Sequence, residues 1–443
     1  MGGLNVSYLP LSRFKYNNNG TGRKSPQEID DEYHLRLSGP STVRTALFPA
    51  LEDTSLLDEA AIEKRSISIA KYPIYFVETH KINLLVANIL RNSMQITKLA
   101  NHNELPQVAI NSYLKKLLSN EIIFTNEIEG VETNPKEIGT IIGNLKNRPG
   151  RVEKRLESTI RKYHDSITAR MRQIDTLKDY RDIYDELLRG EIPPEKLPDG
   201  KRFRNSFAFI GTGSHAVHIP PINEAEIETA LEQLIIFMNN DDLVTLEKAI
   251  ITHFMFENTH PFLDGNGRTG RYLLSSYLSS KLDPFTGLSV STAIHNNLSA
   301  YYRLFQEADN IENRAELTFF LEGMLKIIEH GQLEVIQELE SAKEQLHVTG
   351  EELYSKFANL NDEMKDILYL LLQSYLFTES ITYGIQDRDI VQVLKKGSKQ
   401  TPRSRTKRMI NQLEADGLIT SVSKNPLQHV LSKAILNQIL PLK

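Results

Sequence analysis

The sequence predicts a mainly α-helical chain, broken by one β-hairpin and closed by a small module of helices and a strand. Three observations lead there. Apolar residues recur at three- and four-residue spacing along much of the chain. Gly and Pro crowd into the stretch 193–221, where two short apolar runs face each other across a glycine turn. Near the C-terminus two short helical patterns precede a basic helix and a β-branched run.

Length and composition fit that reading. At 443 residues the chain has room for about three domains. Hydrophobic residues make up 40% and charged residues 25%, the balance of a chain that buries a core. The 52 basic and 57 acidic residues leave a net charge of −5, which argues against a nucleic-acid coat over the whole chain but not against a local basic patch. There is no cysteine, so disulfides, thiolate metal sites and cysteine nucleophiles are excluded. That absence favours a reducing compartment. No apolar run approaches the roughly 18–20 residues that span a bilayer, and Met1 to Lys24 has no signal-peptide core. The expected location is the cytoplasm, with no membrane partner.

Residues 1–30 read as a loose leader, with a turn signal at Asn17 to Gly20. Mixed short apolar pieces fill 44–81, and a helix follows from Ile82 to Leu99. Val108, Tyr113, Leu114, Leu117, Leu118 and Ile122 set a second helix running to about Ile128, with Gly130 as its C-cap. The stretch 135–190 is charged, and Glu153 to Leu188 lacks Gly and Pro. It predicts one or two long, exposed helices with a solvated face. Ser206 to Ile210 and Ala216 to Ile219 predict two strands, with Gly211 to Ser214 as their turn. Amphipathic helices are expected over 224–238, 243–256, 268–281, 299–309 and 314–345. Beyond residue 360, helices at 362–376 and 389–394, a basic helix behind Thr401-Pro402, and a strand at 418–423 give the element count of a winged helix.

The stretch His260 to Arg271 concentrates the chemistry. Its glycines lie between a helix end and a helix start, where backbone N–H groups and the positive end of the helix dipole meet an anion. Arg268 and Arg271, three residues apart, can both fork onto phosphate oxygens. Asp264 offers a hard oxygen to Mg²⁺, and His260 is a base that titrates near neutrality. This is an inventory for phosphoryl or nucleotidyl transfer. Gly265, Gly267 and Gly270 also match the dinucleotide fingerprint, but that pattern needs a preceding strand, and a helical pattern stands there instead. Arg271-Tyr272 after Gly270 departs from a P-loop, and the His253–His260 spacing departs from a zinc protease helix.

His260, Phe262, Asp264, Gly265, Asn266, Gly267, Arg268 and Arg271, with Pro261 as the usual filler, resemble the signature of the Fic (Fido) family. The resemblance reaches roughly over 105–330, and it implies a Fic-type helical core carrying a β-hairpin flap. The expected division is an N-terminal extension over 1–80, to which the resemblance adds little, a region over 81–345 with an inhibitory helix at about 107–130 and a flap at about 203–222, and a winged-helix domain over 360–443, a common companion in the family. The implied activity is protein adenylyltransfer, in which AMP passes from ATP·Mg²⁺ to a Ser, Thr or Tyr hydroxyl of a target protein or of the chain itself. His260 would be the base, with Asn266 and Arg268 also catalytic. Gly265, Asn266, Gly267, Arg268, Thr269, Gly270, Arg271 and Tyr301 would bind the nucleotide, and Asp264 the Mg²⁺. Phe262 would be core. The flap would align the target by strand addition.

Thr125-Asn126-Glu127-Ile128-Glu129-Gly130 resembles the same family's inhibitory motif, in the subclass with an N-terminal inhibitory helix (class II). Glu129 would pair with Arg271 and keep it from the γ-phosphate. Homo-oligomers are common in the family, and removal of AMP is a related activity in some members. Lys395, Lys396, Lys399, Arg403, Arg405, Lys407 and Arg408 make DNA a candidate partner of the C-terminal module. Two alternatives stand beside adenylyltransfer: a DNA-binding regulator that uses its Fic core to sense nucleotide, and a Fic enzyme that transfers a different phosphate-containing group.

Overall fold

The structure is a computed structural model of the 443-residue chain. It describes residues 8–16, 22–51, 71–143, 156–168, 173–208, 210–212, 215–240, 244–377, 384–396, 400–424 and 426–440. The chain divides into two compact units, Met1–Ser93 with Leu117–Leu333, and Met94–Lys116 with Glu334–Lys443.

The first unit is helical, with two two-stranded sheets among its described residues. Its centre is a pair of helices, Thr245–Thr259 and Asn266–Lys281, joined by a six-residue loop. Both are buried almost all round, as the helices at the middle of a core must be. Glu224–Met238 packs on the first of them, and Glu157–Thr168, Pro284–Leu288 and Val290–Asn296 on the second.

The leader is more structured than its composition suggests. Pro26–Leu37 is a helix that starts at a capping box, with Ser25 and Glu28 satisfying each other's backbone N–H groups. Arg36 of that helix bonds Glu316 at 2.9 Å, far along the chain. Short strands Thr42–Arg44 and Tyr75–Val77 pair antiparallel. The turn signal at 17–20 lies outside the described residues.

The reading of 153–188 as solvated is overturned. Glu157–Thr168 and Leu177–Leu187 are separate short helices, and Ile160, Tyr163, Tyr180, Ile183, Tyr184 and Leu187 are all buried. Half of these six are tyrosines, amphipathic side chains that a count of aliphatic positions passes over. The hairpin is present with shifted bounds. Strands Ile210–Thr212 and His215–His218 pair with Ile210 opposite His218 and Thr212 opposite His215. Residues 211–212 are therefore strand, and 213–214, the rest of the expected turn, lie outside the described residues. Ser206 is not in the strand; its N–H and hydroxyl are both tied to the Asp199 carboxylate.

The C-terminal part of the second unit has its own core of Leu368, Leu372, Ile390, Ile410, Leu413 and Ile435, among others. Helix Asp362–Phe377 is followed by a two-residue strand Ile385–Gln386, helices Asp387–Lys396 and Arg403–Ala415, and strands Ile419–Lys424 and Leu427–Leu431. The three strands form one antiparallel sheet with Leu427–Leu431 in the middle. That central strand and the closing helix Lys433–Ile439 extend the expected element list. Lys399 of the basic run lies outside the described residues.

Candidate active site

The site forms where the Thr245–Thr259 helix ends and the Asn266–Lys281 helix begins. His260 is the C-cap of the first, with φ +47°. A non-glycine residue in the left-handed region costs roughly 1–2 kcal/mol, so neighbouring contacts must hold it there. Its ring is partly exposed, while Nδ1 is buried with no hydrogen-bond partner. Nε2 is thereby the nitrogen left for chemistry. Burial, then the Arg204 guanidinium and His218, push the imidazole down to about 3, so it is neutral at pH 7 with a free lone pair. The sequence suggested titration near neutrality; desolvation and a neighbouring cation move it away.

The loop is fixed from below. Phe262 is fully buried and stacks on Tyr184 at 3.8 Å between ring centroids, as expected of a core anchor. Gly265 is the N-cap of the second helix at φ +84°, and a Cβ there would lie 2.4 Å from Leu188 Cδ1. Only glycine meets both demands. The Asn266 side chain is consumed by the loop: its Nδ2 donates to the Phe262 carbonyl at 2.8 Å, and its Oδ1 accepts the Phe262 N–H at 2.9 Å. It braces the turn and offers an anion only its backbone N–H. Thr269 is likewise spent, with both its N–H and its hydroxyl donating to the Gly265 carbonyl. The helix N-terminus therefore presents the N–H groups of Asn266, Gly267 and Arg268. Gly270 leaves room for a carboxyl, since a Cβ there would lie 2.1 Å from Glu257 Oε1.

Two guanidiniums flank this N-terminus, each already held. Arg268 donates to Glu191 at 3.1 Å and lies 3.6 Å from Asp264, and its Nε is buried without a partner. Asp264 also pairs with Lys196 at 3.0 Å. Arg271, fully buried, donates through Nε to the Thr125 hydroxyl at 2.9 Å. Its Nη2 donates to the Thr125 carbonyl at 2.9 Å and to Glu129 Oε1 at 2.7 Å. Both residues come from the end of the Gln107–Ile128 helix and the turn after it. The Glu129 carboxylate lies over Gly267, where a Cβ would be 2.0 Å from its Oε1. A carboxylate thus occupies the first turn of the glycine-lined helix, the place an anion would take.

Behind Arg271, Glu257 faces both Arg271 and Glu129. Burial pushes its carboxyl up to about 8, and Oε1 has no partner. Tyr301 is buried and bonds His253 Nε2 through its hydroxyl at 2.9 Å, so it belongs to the core network and not to an open binding surface. Its neighbour Tyr302 is the exposed one, and its hydroxyl donates to the Ile128 carbonyl at 3.2 Å. Glu191, Lys196, Arg204 and Glu257 were not anticipated. Among the described residues no three acidic or histidine side chains converge on one point that could hold a metal. A cavity of about 510 Å³ shares His253 and Gly270 with this region, but His260, Asp264, Arg268 and Arg271 do not line it. No helix among the described residues is long and apolar enough to cross a membrane.

Residues 154–278 match the family model described as Fic/DOC family. Over 106 residues the chain is 28% identical to "Protein adenylyltransferase Fic" of Drosophila erecta and 30% identical to the protein of that name in Drosophila melanogaster. The aligned stretch is 23% of this chain and 19% and 20% of those proteins. The chain therefore spans about a fifth of the length of these curated relatives. Among solved structures it is similar to a Fic family protein from Desulfovibrio desulfuricans G20 (TM-score 0.49, 20% identity, 80% of this chain and 97% of that one). It is also similar to Fic-1 from C. elegans (TM-score 0.39, 17% identity, 58% and 72%). Residues 154–278, which hold the loop at the junction of the two buried helices, are thus a region similar to the Fic/DOC family.

Proposed function

We propose that this chain is a protein adenylyltransferase, moving AMP from ATP to a protein hydroxyl, and that Glu129 restrains it. The observation that carries the reading is a neutral His260, its backbone carbonyl held by Arg204, one short loop from a glycine-lined helix N-terminus flanked by two arginines.

Each residue then has a task. The N–H groups of Asn266, Gly267 and Arg268 receive phosphate oxygens. Arg268, fixed by Glu191, neutralises charge at the inner phosphates, and Arg271 serves the γ-phosphate once Glu129 releases it. His260 Nε2 takes the proton of the attacking hydroxyl; that oxygen bonds to the α-phosphorus as the bond to pyrophosphate breaks. The neighbouring phosphates raise the imidazole's affinity for that proton. Asp264 would suit a Mg²⁺ whose other ligands came from phosphates and water: it is a partly exposed carboxylate, and among the described residues no acidic cluster surrounds it. Bound there, the ion would offset phosphate charge, and Lys196 would have to give up its contact. The hairpin 210–218 supplies a strand edge for the target segment.

The test is self-modification with labelled ATP. In a Glu129→Gly background, label should enter the protein as AMP by mass, and His260→Ala should abolish it. Addition of phosphate in place of AMP would favour transfer of another group. No modification in any background would favour the regulator that senses nucleotide.

For the C-terminal module we propose a winged helix that binds duplex DNA. Arg403, Arg405, Lys407 and Arg408 are all exposed on the Arg403–Ala415 helix. Arg403 and Lys407 line a cleft of about 740 Å³ with Arg388, Lys395, Pro426 and Leu427. The cleft also holds Asp387 and Asp389, so phosphate contact is concentrated on the helix. Binding should weaken steeply with salt, and Arg403→Ala with Lys407→Ala should lower the salt slope by about 2. Salt-independent or absent binding would assign the module to protein contacts.

A further inference from the structure

A guanidinium has five N–H donors and a charge it does not shed, so burying one away from acids is costly unless oxygens surround it. Arg204 is fully buried, and the carboxylates whose charge acts on it, Asp199 and Glu226, make no ion pair with it. Backbone carbonyls take that place. Its Nε donates to the His260 carbonyl at 2.7 Å, and Nη1 to the Ser206 carbonyl at 3.1 Å. Its Nη2 donates to the Pro221 carbonyl at 2.6 Å and, at longer range, to the Thr259 carbonyl at 3.4 Å. Its own backbone N–H donates to the Pro261 carbonyl at 2.9 Å.

These acceptors belong to two structures. Thr259, His260 and Pro261 are the end of the central helix and the strained residue beyond it, whose carbonyls lack helical partners. Ser206 and Pro221 stand on either side of the 210–218 hairpin. One side chain therefore ties the backbone of the imidazole-bearing residue to both stems of the hairpin. The charged and titratable groups that face the imidazole are Arg204 itself, His218 on the second hairpin strand and Asp264 in the loop.

We propose that Arg204 is a positioning residue for the transfer reaction: by capping His260 and clasping both hairpin stems, it holds the proton acceptor and the target-aligning strand in one frame. This rests on the reading of His260 as the base. Arg204 touches neither Arg268, Arg271 nor the N–H groups of the helix N-terminus, so its loss should spare nucleotide affinity while spoiling the alignment of the attacking oxygen.

The experiment uses the full chain in the Glu129→Gly background and measures the maximal self-modification rate, the half-saturating ATP concentration and the pH profile. Arg204→Lys keeps the charge but cannot reach both stems and the helix end together. Its maximal rate should fall at least about tenfold with the half-saturating ATP within about twofold. Its acid limb should stay in place. Arg204→Met should lose more rate and shift the acid limb to higher pH, because a cation beside the imidazole is gone. A wild-type rate in Arg204→Lys would overturn the proposal, as would a rate loss matched by an equal loss of ATP affinity. Should Arg204→Met fail to fold, Arg204→Lys decides alone. His260→Ala in the same background tests the base separately: transfer persisting there would remove the base and leave the Arg204 rates as a distinct result.

Discussion

Glu129→Gly is the perturbation whose size can be worked out most directly. The carboxylate does two things in the resting chain. It accepts a charge-assisted hydrogen bond from Arg271 at 2.7 Å, and it lies over Gly267 at the N-terminus of the Asn266–Lys281 helix. A hydrogen bond to a charged group contributes about 1.5–3 kcal/mol, and the partly exposed glutamate places this one near the lower end, about 1.5–2 kcal/mol. A negative charge at a helix N-terminus adds about 0.3–1 kcal/mol. A triphosphate that seats its terminal phosphate on Arg271 must first displace both interactions. Removing the competitor should therefore gain about 2–3 kcal/mol, or about 30- to 150-fold in productive nucleotide binding at low ATP. The assay is self-modification with labelled ATP below saturation, paired with calorimetric titration of a non-hydrolysable ATP analogue. Glu129→Gln, which keeps an oxygen acceptor but loses the charge, should fall between wild type and Glu129→Gly. Equal rates and equal analogue affinity in wild type and Glu129→Gly would refute the reasoning, because the pair would then restrain nothing.

Thr125→Ala removes the hydroxyl that accepts from Arg271 Nε but leaves the carbonyl contact, so the same assay should show a smaller activation, about fivefold for a loss of about 1 kcal/mol. Gly270→Ala drives a Cβ against Glu257 Oε1 and to 3.2 Å from Phe256 Cδ1; it should destabilise the fold by about 1–3 kcal/mol in urea titration, and Glu257→Ala in the same chain should recover part of that loss. His253 is buried, with Nδ1 donating to the Gly270 carbonyl and Nε2 accepting from Tyr301, and burial followed by Arg271 pushes it down to about 3. The unfolded chain takes up that proton first, so stability should fall by about 1.4 kcal/mol for each pH unit below 6.5, down to about pH 3, through this group alone. His253→Asn should flatten that slope in urea midpoints measured between pH 7 and pH 5, and an unchanged slope would show that other groups set it.

The loop was legible because its chemistry is written in one contiguous stretch. His260, Phe262, Asp264 and the two arginines lie where their spacing places them, and Gly130 ends its helix at φ +69°. What the spacing did not convey is where side chains turn. Asn266 and Thr269 are polar residues in a glycine loop, and both turn inward to backbone atoms four residues away. The supporting residues are distant in sequence: Glu191 lies 77 residues from Arg268, Lys196 68 from Asp264 and Arg204 56 from His260. No local pattern marks such pairs. The helices at 157–168 and 177–187 were misjudged as solvated for a related reason, since their buried faces rely on tyrosines set among charges.

If Glu129 restrains nucleotide use as proposed, Gly267 has a consequence for how output is controlled. Its missing side chain opens one recess, which the chain's own carboxylate fills at rest and an incoming phosphate would fill in turn. Restraint of that kind is a contest for a shared seat, not a bolt across a door. Its outcome depends on how much nucleotide is supplied and on how firmly residues 125–129 are held, so throughput would rise with energy charge even while the restraining segment stays intact.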